Sequence, residues 1–521
     1  MAEMGGERYE EPIEIAVRPA APLVVKTGNE RIEAGGDALI ELPSGWLDGT
    51  GEASLWLSSM PSVTLGGSLD YLLNYPYGCL EQTTSKSFPL LYLSGLAEQM
   101  RPGWLGRNGT AEFVNAGIYR ILSMQKGGGG FSFWPNGGVY EWGSIYAVHF
   151  LVEADKAGYE VPADRLSDAL NHVEQMVRNV SIDRKEQHYD ASYACFVLAL
   201  GGRPQHGVVD RLREQWDVLE YDTRINVIAA LLSAGQRRQA VELLDRLGGY
   251  SATTELFETN GSLRSQTRGN AFLLSVLLDV DPGSTEIPAL VRRLEAAQSN
   301  GRWLNTQDNA MAIMAMGKYT ERFAERRKPI AGRVEWNGRA KTVEFANRDE
   351  LRVPLEAFDG QPVRIENQGE GELFLHWKSE GVPAGGEVAE RDRGIRVRRA
   401  LVDRDGQPVD ASQLRQGELY IVKLSFWSDA YRDNIVVEDL LPAGLEVENG
   451  ALNTSQRMGW VSGLQNLSMQ HLELRDDRVI AFPQGFGSDP RTYCYAVRAV
   501  TVGEFVWPAV SASSMYDPSI E

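Results

Sequence analysis

The stretch NYPYGCLEQTTSKSFP, residues 74–89, sets a thiol and a carboxamide three positions apart, at Cys79 and Gln82. Pro76 disfavours helix for the residue before it, and Gly78 supplies a flexible joint. A helix is therefore expected to start at or just after Cys79. Side chains at i and i+3 share a helix face, with Cβ atoms roughly 5–6 Å apart. A thiolate there can attack the Gln82 carboxamide, expel ammonia and close an internal thioester. The helix dipole favours an anion at that end and is expected to lower the Cys79 pKa. Such a bond lasts only in a dry, strained setting. Tyr71, Tyr75, Tyr77, Phe88 and Tyr92 lie close in sequence, and Phe131, Phe133, Trp134 and Trp142 follow. The plainer reading is a buried structural cysteine at a helix start, with Gln82 as a cap.

The elements that would position this pair change character along the chain. Residues 1–58 alternate or cluster apolar residues between Gly and Pro, as in EIAVRP, PLVVKTG, ALIELP and ASLWLS, and read as strands. Residues 59–322 carry helical periodicity, from SLDYLLNY and SKSFPLLYLSGLAEQM through GSIYAVHFLVEADKAG and DASYACFVLALGG to TQDNAMAIMAMGKYTERFAE. GGGGFSFWPNGGVYEWGSIYAVHFL and SNGRWLNTQDNAMAIMAM share a turn, an aromatic and a helix rich in small residues. That loose repeat suggests a ring or solenoid of helical hairpins. Residues 323–385 return to short strands, and residues 386–521 read as a β-sandwich. The two β segments that flank the helices suit one domain with the ring inserted into it.

Composition narrows the function. A chain of 521 residues is too long for one core. Its 52 Lys+Arg against 71 Asp+Glu give a net charge of −19, and no nucleic-acid motif is present, so nucleic acid is not an expected partner. The one basic run, RDRGIRVRR, reads as a solvated strand start. The basic residues are skewed, 10 Lys against 42 Arg, which a GC-rich genome explains most simply. Cys79, Cys195 and Cys494 are odd in number and far apart, which argues against a disulfide framework. Cys195 and Cys494 sit among apolar neighbours and read as small core residues. No metal-ligand cluster of the usual spacing and no cofactor motif stands out. The start, MAEMGGERYEEP, lacks the pattern of a signal peptide, so the chain is expected to be a piece of a longer secreted protein.

YPYGCLEQTTS resembles the thioester motif of the α2-macroglobulin and complement family, and the order of regions resembles the family's C-terminal part. Leu80 and the MYDP near the end resemble the bacterial branch. The resemblance implies an α/α-toroid thioester domain inserted in a β-sandwich CUB domain, followed by a C-terminal macroglobulin-like β-sandwich. It implies that Cys79 and Gln82 form the bond. It also implies a broad-spectrum protease inhibitor: a protease cuts a bait segment, the thioester is exposed, and the protease is tethered through a lysine. The bait region lies outside this chain. Tyr516 and Met515 are then expected to seal the site beside Tyr75 and Tyr77, though SSMYDP also reads as an ordinary turn. Trp134 is placed to line the ring near Cys79, with simple packing as the other reading.

Complement members use a histidine to favour hydroxyl targets. His188 stands near the implied position, although Cys195 fits the spacing as well and a surface histidine is the commoner reading. Amine transfer without an imidazole relay is expected. The resemblance further implies a monomer, a periplasmic location with a lipid anchor to the inner membrane, and a cell-wall synthase as a partner.

Two other functions compete with this one. A cysteine hydrolase or transglutaminase-like enzyme would pair Cys79 with His149 or His188, but would leave Gln82 without a required role. A helical-ring enzyme such as a terpene cyclase shares the toroid plan, but the chain has no DxDD-type acid motif.

Overall fold

The computed structural model describes residues 2–4, 7–9, 21–94, 109–247, 258, 261–323, 325, 328–345, 351–384, 390–448 and 466–521. Strands from before and after the helical region interleave in two sheets. One has the order Val24–Ile32, Leu373–Gly381, Glu52–Ser58, Leu351–Pro354, and the other Asp37–Ile40, Val363–Asn367, Ile330–Trp336, Arg339–Phe345. Their inward residues, among them Ile32, Leu55, Leu57, Val334, Ile365 and Leu375, form one core. Because strands before and after the helices pair side by side, the helical region is an insertion in a β-sandwich. EIAVRP lies outside the described residues.

Six helices close a ring in which each packs on the next: Leu80–Ser87, Glu141–Lys156, His188–Leu200, Tyr221–Ser233, Gln266–Val280 and Thr306–Arg322, the last returning to the first. These helices are buried on most faces, as in HYDASYACFVLAL, where Ala, Ser and Cys allow close approach. An outer layer alternates with them. Its members are amphipathic: Ala163–Arg178 buries only Ala169, Leu170, Val173 and Val177. Since an outer helix separates successive inner ones, the inner helices run parallel and their N-termini gather at one end. The helix His206–Glu214 was not expected from the sequence, being short and carrying only Val208, Val209 and Leu212 as an apolar stripe. The expected helix SKSFPLLYLSGLAEQM is interrupted: the α-helix ends at Ser87 and a 3₁₀ turn covers Phe88–Leu91, where Pro89 cannot donate to the helical ladder, while GLAEQM lies outside the described residues.

The ring sits on the first sandwich through a polar seam. Asn29 Nδ2 donates to Gln298 Oε1 (2.6 Å) and to the Thr64 carbonyl (3.0 Å), while Asn29 Oδ1 pairs with His376 Nδ1 at 2.8 Å. Gly67 has no room for a side chain there: a Cβ would stand 2.5 Å from the Gly301 carbonyl oxygen.

The last sandwich stacks the sheet Arg396–Val402, Leu419–Trp427, Arg491–Ala499, Leu445–Val447 on the sheet Met469–Leu474, Arg478–Pro483, Ile435–Leu440, Ser511–Ser514. The two central strands of the second sheet, Ile435–Leu440 and Arg478–Pro483, are buried on both faces. Ile435, Val437, Val479 and Ala481 point into the sandwich, whereas Val436, Ile480 and Phe482 join the core of the helical ring. The two-residue period of a strand divides its side chains between two cores. This explains why RVIAFP and IVVEDL read as apolar runs and not as alternations. RDRGIRVRR opens the edge strand Arg396–Val402, with Arg398 paired to Asp392 (2.7 Å) and Glu390 (2.9 Å) in solvent.

Phe482 bridges ring and sandwich, with Tyr77 and Trp134 against its ring. Phe482→Ala is expected to cost about 3–5 kcal/mol. Urea denaturation would show this as a lower midpoint, and an unchanged midpoint would mean that the seam contributes nothing to stability.

Candidate functional site

Cys79 is the N-cap of Leu80–Ser87, in extended backbone (φ −68°, ψ 173°). The cap is reciprocal. The Gln82 N–H donates to Cys79 Sγ (3.5 Å), and the Cys79 N–H donates to Gln82 Oε1 (3.4 Å). This is the geometry of a capping box, with sulfur in place of a hydroxyl. It folds the carboxamide back beside the thiol and directs its oxygen at a backbone donor. Gln82 Nε2 is buried and has no hydrogen-bond partner among the described residues. The carbonyl is thus polarised, while the nitrogen is held by nothing.

The entry turn is fixed by basic side chains that the sequence reading passed over. Lys86 Nζ donates to the Tyr75 carbonyl and to the Tyr77 carbonyl (2.9 Å). Arg120 Nη2 and Nε donate to the Gly78 carbonyl at 3.1 and 3.3 Å. On the other side the Leu80 N–H donates to the Phe133 carbonyl (2.9 Å). Burial pulls the Lys86 ammonium down to about 8, against the opposing pull of Cys79 and then of acids.

Cys79, Glu81 and Gln82 have no solvent exposure. The seal comes from both sides. Tyr71, Tyr75 and Tyr77 meet edge to face at 5.4 and 5.5 Å. The Tyr75 hydroxyl donates to the Met515 carbonyl (3.1 Å). The Tyr516 hydroxyl stands 3.8 Å from Cys79 Sγ, and both Met515 and Tyr516 are buried. Trp134 lies at the seam, stacked on His471 at 4.4 Å and 4.3 Å from Phe482. His471 and Phe482 were not foreseen, because only the docking of the last sandwich brings them here.

Burial changes the electrostatics. The Cys79 thiol is pushed well above its ordinary value by desolvation, then by the neighbouring Glu81, against the Gln82 N–H. The expected lowering at the helix N-terminus is therefore corrected: in a dry site, loss of water outweighs the dipole. The expected surface position of His188 is also corrected. It is buried, with Nε2 against the Ile182 carbonyl at 2.6 Å. His149 Nδ1 pairs with the Tyr193 hydroxyl (2.8 Å), and burial holds its pKa down to about 3. Among the described residues, no histidine hydrogen-bonds Cys79. The arrangement that a cysteine hydrolase needs is not assembled. Among the described residues there is no His/Cys/Asp/Glu cluster fit for a metal ion.

Comparison with known proteins now bears on this geometry. Residues 54–192 match the profile of the A-macroglobulin TED domain, and residues 394–519 match that of the bacterial α2-macroglobulin MG10 domain. The α2-macroglobulin of Escherichia coli K12 is 29% identical over 97% of this chain and 31% of its own length. The chain belongs to the bacterial α2-macroglobulin family.

Solved α2-macroglobulins share the fold. Native E. coli α2-macroglobulin, from domain MG7 to the C-terminus, superposes with a TM-score of 0.80 at 26% identity, covering 96% of this chain and 81% of that one. Salmonella α2-macroglobulin reacted with methylamine gives 0.81 at 28% identity, covering 97% and 33%. This chain spans about a third of the length of the curated α2-macroglobulins it matches. The TED match includes Cys79 and Gln82, and the MG10 match includes Met515 and Tyr516.

Asp308 offers a test of the acids gathered at this end of the ring. Its backbone N–H donates to the capping Asn305 Oδ1, its carboxylate accepts from the Ser265 hydroxyl, and burial raises it from 3.8 to about 6. A raised folded pKa favours folding fully below the unfolded value, and that contribution is lost as pH climbs through the folded one. The window is therefore pH 3.8 to about 6. Asp308→Asn should remove about 1–3 kcal/mol of the fall in unfolding free energy across that window, read by urea titration at several pH values. Identical slopes in both proteins would show that Asp308 ionises normally.

Proposed function

We propose that this chain carries the single-use electrophile of a bacterial protease-trapping α2-macroglobulin. The observation that carries this reading is the reciprocal Cys79–Gln82 cap in a site with no water access. Cys79 sulfur attacks the Gln82 carbonyl carbon, the C–N bond breaks, and ammonia leaves with the thiol proton. No hydrogen bond to the described residues is lost as Gln82 Nε2 departs. The cost of leaving that buried amide unpaired, about 1–3 kcal/mol, is relieved. The product is an acyl group on sulfur, which reacts with a nucleophile once the cover opens. In the whole protein, bait cleavage by an attacking protease would open it, and a lysine of that protease would take the Gln82 acyl group and release the Cys79 thiol. The bond is consumed, so this is an inhibitor and not an enzyme. The same reading extends to a periplasmic protein held to the inner membrane by a lipid on a preceding segment.

Intact mass before and after methylamine tests the chemistry, and methylamine is the reagent with which the Salmonella relative was reacted. The expected result is a mass short by one ammonia, then a gain of one methylamine with one new titratable thiol. A full mass with Gln82 still an amide would overturn the reading.

Tyr516→Ala opens the cover from the sandwich side. The thioester should then hydrolyse on its own at least about tenfold faster, since a desolvated electrophile meets water. An unchanged decay rate would remove Tyr516 from the seal.

A further inference from the structure

Glu81 sits inside the motif between Cys79 and Gln82, and nothing so far gives it a task. Its carboxyl has no solvent exposure, and the one cation named as acting on it, Arg268, does so through space and after its hydrogen bonds. Burying an acid without a directly paired cation is expensive, and a glutamine could make similar hydrogen bonds at less cost. Oε1 accepts from the Ser85 hydroxyl (2.5 Å), and Oε2 accepts from the Thr306 hydroxyl (2.9 Å). The Tyr516 hydroxyl also lies near enough to the Glu81 carboxyl to help hold its pKa down, after Ser85 and Thr306. That same hydroxyl is 3.8 Å from Cys79 Sγ. The lid tyrosine thus presents one hydroxyl to both the thiol and the carboxyl.

Closing the bond needs such a link. Burial keeps the thiol protonated, so little thiolate is present at neutral pH. No histidine among the described residues hydrogen-bonds it, and solvent does not reach it. The base must be local.

We propose that Glu81, acting through the Tyr516 hydroxyl, takes the proton of Cys79 as the thioester forms. The proposal rests on the thioester reading above. The Cys79 S–H proton passes to the Tyr516 oxygen while Tyr516 gives its own proton to Glu81. Sulfur bonds to the Gln82 carbonyl carbon, and the C–N bond breaks. The departing nitrogen takes up one proton in exchange and leaves as ammonia, and Glu81 gives up the proton it held. Glu81 and Tyr516 end as they began, and the net change is thiol plus carboxamide to thioester plus ammonia. The sandwich that covers the bond would thereby also help to make it. Glu81 is a positioning and proton-holding residue, with Ser85 and Thr306 fixing its orientation.

The test is the rate of bond formation in this chain, newly synthesised in a cell-free reaction and sampled by mass spectrometry. Peptide mapping at position 82 separates three states: thioester, unreacted Gln82, and the glutamate left by hydrolysis. Glu81→Gln keeps the shape, and Tyr516→Phe keeps the aromatic cover while removing the hydroxyl. Both should form the bond about 100-fold more slowly or worse, leaving Gln82 intact. Glu81→Asp should recover part of the rate. The little bond that forms in Tyr516→Phe should decay no faster than in the unaltered chain, which a loss of shielding would not allow. Formation at the unaltered rate in either Gln or Phe variant overturns the relay, as does a glutamate at position 82 in both. If Glu81→Gln does not fold, Tyr516→Phe decides alone. An unaltered chain that keeps Gln82 as an amide sinks the thioester reading itself, a result distinct from the others.

Discussion

Everything at this site depends on keeping water from one helix cap. An acyl–sulfur bond between Cys79 and Gln82 would be uphill in water and downhill to hydrolysis once made. The protein answers by making the two residues each other's cap, so that their polar groups need no solvent. With a reciprocal cap, the first turn is satisfied and can be buried completely. The turn before it, Tyr75 to Gly78, is then the weak point, since its carbonyls face away from the helix. Lys86 and Arg120 close that gap from two neighbouring helices.

The ring gives this cap its surroundings. Parallel inner helices bring their N-termini to one end, where unpaired N–H groups and aligned peptide dipoles favour acids. Glu81 and Asp308 are buried there and Asp222 is half-buried, and desolvation raises all three. Arg268 is the buried cation among them, packed over Trp142, Tyr189 and Tyr193. Aromatic faces let it remain charged without a close carboxylate. The polar network is thus held by geometry more than by ion pairs, and dielectric loss, not the dipole, sets the protonation of its members.

The last sandwich completes the enclosure at the cost of burying two strands on both faces. Val436, Ile480 and Phe482 belong to the ring's core although their strands belong to another domain. Met515 and Tyr516 arrive on the same sheet edge, with the Met515 N–H held by the Asn434 carbonyl at 2.8 Å. A rotation of this sandwich would withdraw Tyr516, Met515, His471 and Phe482 together. Shielding and docking are therefore one interaction.

The sequence by itself determined what is local or periodic. Pro76, Gly78 and the i, i+3 spacing set the helix start and the Cys79–Gln82 pairing, because those depend on backbone sterics within one turn. The helical repeats and the strand alternation showed a ring between β segments, since apolar periodicity records which face is buried. Tertiary structure decided the rest. The thiol's pKa direction came out opposite to the local expectation, because burial is a property of the whole packed site. Glu81, Lys86 and Arg120 acquired tasks only when the turn was placed against them. Trp134 lies some 340 residues from His471 and Phe482 in sequence and meets them only through docking. A strand buried on two faces cannot be told from any other apolar run until its second partner is in place.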